Sequence, residues 1–415
     1  MNQSKAFFFG LMFVLMGILT GCHHHDEPEP TPDPQLAMRT VLVYMVADNS
    51  MSAFDTDDIK EMKEGFGMAG VDPARHNLLV YVDDYSNNPT LYRITQDATG
   101  LVTDEIVYEY PADHDSSSPS VIKDVILRAK AECPAQSYGF VYWSHGEGWI
   151  PYPVPTKSVT PMAGIELKWI GIDTTRTNIL ELGATLKAGF GQKLSFLLLD
   201  ACYMLSVETL YDLRDAADWV ISSPTEIPGP GAPYNVLVPE MFDNSPEKGI
   251  VSSYYNFYDS TYDETKRNTN LNWTGGVSIG AVKMSAMENL AKVTKQVLAN
   301  HQNVSLERLK ATLLDYDKRN SSGTSYIGYF DLCQFMEQVL PSSDFSTWKK
   351  AFDAAMTDFR TTPKNFSAFV GLFSMEGSKG LSVYLPVTED GTSPRDVAYQ
   401  NTTWYKDAGV SQLGW

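Results

Sequence analysis

Five short stretches of the chain are apolar without alternation: Thr40–Ala47, Asn77–Asp83, Tyr138–Ser144, Leu194–Asp200 and Asp218–Ser222. A strand with one wet face alternates apolar and polar residues. An unbroken run of this length is a strand covered on both faces, as in a parallel sheet flanked by helices. Helical spacing lies between the runs, over Asp55–Gly65, Thr177–Phe190 and Tyr203–Ala216. Another helix starts at Ser118-Pro119, with Ser118 as N-cap, Pro119 in the first turn and Val121, Val125, Ile126 and Ala129 on one face. Strand and helix alternate, so the predicted class is α/β with a mostly parallel central sheet. After residue 244 the pattern changes. Ser285–His301, Leu306–Leu314, Phe330–Val339 and Ser346–Phe359 read as helices, while Gly276–Lys283 and Gly380–Pro386 read as strands. This predicts a mostly helical C-terminal region, 245–415, with a late strand returning to the sheet.

The N-terminus is different. Lys5 precedes the apolar run Ala6–Leu19, too short for a confident membrane span but suited to a signal peptide. The run ends in Leu19-Thr20-Gly21-Cys22, which looks like a bacterial lipobox with Cys22 as the lipidated residue. The following His23–Pro34 stretch is acidic and Pro-rich, the composition of an extended tether. An acidic stretch just after the lipidated Cys resembles the surface-export signals of Bacteroidota lipoproteins. The expected organisation is a signal peptide (1–21), a lipidated tether (22–36), a catalytic α/β domain (37–244) and the C-terminal region (245–415). The expected location is the outer membrane or cell surface of a Gram-negative bacterium, with the lipid as the membrane contact.

Composition narrows the partners. Of 415 residues, 51 are acidic and 32 basic, giving a formal charge of -19. Such a surface repels nucleic acid and suits basic substrates. Acidity together with the tether points to a monomer. The four cysteines, Cys22, Cys133, Cys202 and Cys333, contain no CxxC pair, so no zinc site is expected. Cys133 and Cys333 read as small buried hydrophobes. Gly65-Phe-Gly-Met-Ala-Gly70 matches a dinucleotide fingerprint but follows a helix, not a strand, so it reads as a helix stop.

The candidate chemistry sits at two strand ends. One run leads into Ser144-His145-Gly146-Glu147-Gly148-Trp149, the other into Asp200-Ala201-Cys202. Functional groups collect at the carboxyl ends of parallel strands, so His145 and Cys202 are expected as neighbours. A neighbouring imidazole lowers the thiol pKa or accepts its proton, giving a thiolate that attacks a carbonyl. The expected helix from Tyr203 would favour that thiolate further. Gly146, lacking a side chain, could bring its N–H to an oxyanion. Asp200 suits either a cap on the next helix or a bond to local backbone. Glu147 and Glu208 read as structural.

These blocks resemble the clan of cysteine peptidases that contains caspases, legumains and gingipains, and most of all the clostripain family. Tyr44–Asn49, Ser144–Trp149, Asp200–Met204 with Glu208, Ile227–Gly231 and Gly380–Pro386 are similar to family blocks. The resemblance implies a caspase-like three-layer sandwich and a cysteine endopeptidase with a His145–Cys202 dyad. It implies the Gly146 N–H in the oxyanion hole, cleavage after Arg or Lys, and Asp200 as the floor of the basic S1 pocket. Self-cleavage after Lys157, the one basic residue of 150–161, and a use for calcium are implied by resemblance alone; no cofactor is required by the sequence. Two other readings stand beside this one: an inactive caspase-fold surface binding lipoprotein, and a different thiol amidase.

Overall fold

The computed structural model describes residues 36–149, 170–299, 304–318 and 328–415. Cys22 and Lys157 lie outside them. The chain begins with strand β1 (Ala37–Val46), helix α1 (Asp55–Phe66), β2 (His76–Asp83), a hairpin of β3 (Thr90–Gln96) and β4 (Val102–Glu109), α2 (Pro119–Glu132) and β5 (Ala135–Trp143). A small hairpin of β6 (Ile170–Ile172) and β7 (Arg176–Thr177) leads into α3 (Ile179–Phe190), β8 (Phe196–Asp200), α4 (Val207–Leu213) and β9 (Trp219–Ser222). The second half holds α5 (Tyr234–Met241), α6 (Pro246–Thr261), β10 (Ser278–Lys283), α7 (Met287–Leu298) and α8 (Leu306–Lys310). It continues with β11 (Tyr329–Asp331), α9 (Leu332–Val339), α10 (Ser342–Ala355), β12 (Met356–Thr361) and the hairpin β13 (Lys364–Ser367)–β14 (Gly371–Ser374). It ends with β15 (Ser382–Tyr384), α11 (Pro394–Gln400) and α12 (Thr403–Asp407).

Nine strands form the central sheet in the order β12-β10-β9-β8-β5-β1-β2-β3-β4. The five expected apolar runs are its middle, β9-β8-β5-β1-β2, and all four of their pairings are parallel. Side chains of β1 explain the lack of alternation. Val41, Val43 and Met45 enter one core with α1, α5 and α6, while Leu42, Tyr44 and Val46 enter the other with α2, α3 and α4. Helices thus cover both faces, the three-layer arrangement of a caspase-like fold. Where β5 and β8 run side by side, Gly139 faces Phe196. A Cβ there would stand 2.3 Å from the Phe196 ring. Gly139→Ala is expected to lower the urea unfolding free energy by about 1–3 kcal/mol through overpacking; an unchanged unfolding midpoint would contradict this packing.

Several segments differ from the sequence reading, among them helices α5 and α6, which it did not foresee. Ser346–Phe359 is not one helix: α10 ends at Ala355, and Met356–Thr361 is the edge strand β12, antiparallel to β10. Its short polar-apolar run suits either element, and pairing with β10 decides. The late strand does not rejoin the central sheet. β15 pairs with β11 in a two-stranded sheet and touches the catalytic half through the Ser206–Ser382 bridge. The hairpin β3–β4, antiparallel on β2, was not foreseen, because β4 is mostly exposed and carries little apolar signal. The helix expected from Tyr203 begins only at Val207, capped by Ser206. Residues Leu36–Trp415 pack as one compact unit, so the change of pattern at 244–245 marks a change of elements rather than a break in packing.

Candidate functional site

β1 is followed in the chain by β2 on one side of it and, after a crossover, β5 on the other. That reversal of strand order opens a crevice at the carboxyl ends of the strands. β5 and β8 end level, with Trp143 paired to Asp200. His145 and Cys202 each follow two residues later, so the register alone brings their backbones to one place. Gly146 closes the remaining gap. A Cβ on it would stand 2.7 Å from the Ala201 Cβ, 3.0 Å from the Met204 sulfur and 3.1 Å from the Cys202 carbonyl oxygen. The His turn therefore lies directly against the Cys turn, and glycine is required for the contact.

Ser50, in the turn after β1, contributes a hydrogen bond of 2.9 Å between its hydroxyl and His145 Nε2. The Ile227 N–H donates to Cys202 Sγ at 3.4 Å. This amide, not a helix N-terminus, is the donor the backbone brings to the thiol, because α4 starts five residues after Cys202. Tyr203 is the one non-glycine residue with positive φ among those described, at 60°. For a bulky side chain this backbone is costly. It is held by the Tyr203 N–H to Thr225 carbonyl bond (3.0 Å), by the Tyr203 hydroxyl donating to Glu226 (3.0 Å) and by stacking on Tyr329. Tyr329 in turn donates to the Glu147 carbonyl at 2.7 Å, joining the two turns. The other two described cysteines are chemically quiet. Burial pushes the Cys133 thiol up to about 11 and the Cys333 thiol up to about 12, so only Cys202, half-buried, is reachable.

Asp200 is buried beside Ala232 and Tyr234 of the core formed with α1, α5 and α6. It is 2% exposed. Its Oδ2 accepts from the Ala232 N–H (3.1 Å) and the Tyr234 hydroxyl (3.0 Å). Oδ1 is buried with no hydrogen-bond partner. It caps no helix; the backbone it binds is the loop before α5. Burial raises its pKa to about 6. Glu208, 1% exposed, accepts from the Tyr384 N–H at 2.9 Å, a structural tie between α4 and β15. Glu147 lies in the turn between His145 and Trp149, and it is the carbonyl of this residue that Tyr329 binds.

Several neighbours had escaped the sequence reading. Asp58 of α1 is buried, accepts from the Trp143 indole N–H at 2.7 Å, and is pushed up to about 9 by burial and then by Asp200 and Glu61. A signal existed: Asp58 precedes Met62 by one helical turn on the buried stripe of α1. At the ends of β1 and β2, buried Asp83 accepts from Ser116 and is raised to about 8 by burial, with Asp173, Asp113 and Asp48 adding like charge. Among the described residues, no group of three or more His, Cys, Asp or Glu side chains is placed to hold a metal ion. No step is assigned to calcium.

These acids set a pH dependence. Asp58 (about 9), Asp83 (about 8), Glu208 (about 7) and Asp200 (about 6) all titrate above the ordinary carboxylate range, mainly because they are buried. Between about pH 4 and 9 the folded chain therefore binds more protons than the unfolded one, and unfolding free energy falls as pH rises. Melting temperature is expected to be highest near pH 5 and to decline steadily to pH 9. A flat or rising profile over that range would contradict the assignment.

Comparison with known proteins bears on the family and the fold. The family model described as the clostripain family matches residues 43–413. Clostripain of Hathewaya histolytica is 21% identical over 90% of this chain and 80% of that protein. Among solved structures, a secreted C11 cysteine protease of Bacteroides thetaiotaomicron, in complex with an irreversible peptide inhibitor, superposes with a TM-score of 0.78 at 37% identity. The match covers 90% of this chain and 99% of that one. An inactive zymogen C11 protease of Parabacteroides distasonis is 25% identical with a TM-score of 0.73, covering 91% and 99%.

Proposed function

Because the chain belongs to the clostripain family of cysteine peptidases, we propose that Cys202 is its nucleophile, His145 its base, and Arg or Lys the residue after which it cuts. The protein is a cysteine peptidase, and peptides or proteins are its substrates. The observation that carries the dyad is the level ending of β5 and β8, with Gly146 packed on Ala201 and Cys202. His145 takes the thiol proton, and the Ser50 bond to Nε2 fixes the ring that receives it. The thiolate, eased by the Ile227 N–H, attacks the scissile carbonyl. The Gly146 N–H is positioned on the turn where the developing oxyanion would be met. His145 returns its proton to the leaving amine, and water then hydrolyses the thioester.

Specificity for a basic residue is supported by Asp200, a dry carboxylate with one unpartnered oxygen. The direct test is turnover of Arg-, Lys- and Asp-linked fluorogenic amides under reducing conditions, with and without calcium. Turnover of the first two alone supports the reading. No thiol-dependent turnover on any would favour an inactive binding lipoprotein, and turnover of non-peptide amides alone a different amidase. An arginyl chloromethylketone should label Cys202, read by peptide mass spectrometry.

The export reading extends the proposal to Cys22. Lipidation there would hold the enzyme at the outer membrane or cell surface as a monomer. Cys22→Ser is expected to move the protein from the membrane fraction to the soluble fraction; unchanged partition would remove the anchor. Self-cleavage after Lys157 predicts two fragments on prolonged incubation, and an intact chain would argue against it.

A further inference from the structure

Beside Asp200 lies a second acid for which the dyad has no use. Three elements converge on Gly231, which has φ +75°. A Cβ on it would stand 3.4 Å from Asp200 Oδ2, 3.5 Å from Trp143 Nε1 and 3.6 Å from Asp58 Oδ2. Two carboxyls from different elements, α1 and the end of β8, thus border one glycine. Both are nearly excluded from water, at 3% and 2% exposure. The Gly231 carbonyl is fixed from below by the Tyr258 hydroxyl at 2.6 Å, and α5 is fixed by Tyr234, whose N–H donates to Glu61 at 3.0 Å.

The groups that face Asp58 are Asp200 from β8, Trp143 from β5, Tyr234 from α5, Tyr254 and Tyr258 from α6, and Asp55 and Glu61 of its own helix. None is a cation. Two buried acids without a counter-charge are unfavourable, and Asp200 Oδ1 has no donor. A cationic side chain entering from a substrate would supply what is missing.

We propose that Asp58 is the second acidic wall of the substrate pocket and makes the enzyme prefer arginine over lysine at the cleaved bond. The proposal rests on Asp200 as the floor of that pocket. A guanidinium is a planar fork with five N–H donors and can engage two carboxyls at once. An ammonium is a single point of charge, and Asp200 alone satisfies it. Before substrate binds, Asp58 is protonated, since burial holds its pKa high. An arriving guanidinium favours the carboxylate, and the proton leaves to solvent. No bond to carbon forms or breaks in this step.

The test compares Arg- and Lys-linked substrates in the wild type, Asp58→Asn and Asp200→Asn. Asn keeps the shape of Asp58 and can still accept from Trp143. Asp58→Asn is expected to lower kcat/KM on Arg by about 10- to 100-fold, mainly through KM, and on Lys by about threefold or less. A second measurement leaves Asp58 intact. Cys202→Ala protein is titrated at pH 7 with an Arg-ended peptide in two buffers of different ionisation enthalpy. Release of about half to one proton is expected, with less for a Lys-ended peptide. An unchanged Arg-to-Lys ratio in folded Asp58→Asn, or no proton release, overturns the proposal. Loss of both activities in Asp200→Asn with an unchanged ratio in Asp58→Asn would sink this inference alone. Retained basic specificity in Asp200→Asn would sink the pocket reading and this inference with it.

Discussion

Cys202→Ala is expected to lower kcat/KM on an Arg- or Lys-linked amide by on the order of 10⁴-fold or more, leaving the fold intact. The size follows from the role. Without the sulfur no acyl-enzyme can form, and what remains is binding plus oxyanion stabilisation, which together retain only a small fraction of the rate. The alternative thiols do not rescue it, because Cys133 and Cys333 are buried with raised pKa values. Cys202 packs at the edge of its core and its Sγ accepts a long hydrogen bond from Ile227, so removing the sulfur should move the melting temperature little. His145→Ala should match it in rate and should not add to it in the double variant, as groups acting in one step are not additive. Additive losses, or turnover surviving in Cys202→Ala, would remove Cys202 from the chemistry.

Asp200→Asn is expected to cost about 30- to 5,000-fold in kcat/KM on Arg and Lys substrates, because losing one partner of a buried charge pair costs about 2–5 kcal/mol. The folded protein should survive. Asn can accept from the Ala232 N–H and Tyr234 hydroxyl as Asp does, and its neutrality relieves an acid that burial opposes. At neutral pH the variant is therefore expected to melt at the same or a higher temperature than wild type. The wild type carries a matching pH signature. Its affinity for basic residues should fall as pH drops through about 6, where Asp200 takes a proton. In Asp200→Asn that dependence should vanish. A variant that cleaves basic substrates normally would return Asp200 to a purely structural part.

The sequence by itself determined the five-stranded middle of the sheet and its chemistry-bearing ends. Runs such as Thr40–Ala47 lack alternation because both faces of β1 are covered, and that condition is written into every residue of the run. His145 and Cys202 were legible because each follows such a run directly, and parallel strands ending level must bring them together. What only the tertiary structure decided involves residues whose local pattern is ambiguous or whose partners are distant. Met356–Thr361 is a strand because β10 offers it an edge, not because of its own residues. The amide beside Cys202 comes from Ile227 across the sheet end, where a helix dipole had been expected from the next few residues. Asp58 lies in an acidic first turn that looks solvated, and it is buried because α1 packs against Trp143 and Asp200. Local residues fix whether a segment can form an element and which groups lie at its end. Which acid goes dry, and beside which neighbour, depends on contacts distant in the chain, such as Asp58 with Trp143, 85 residues away, and no local pattern encodes them.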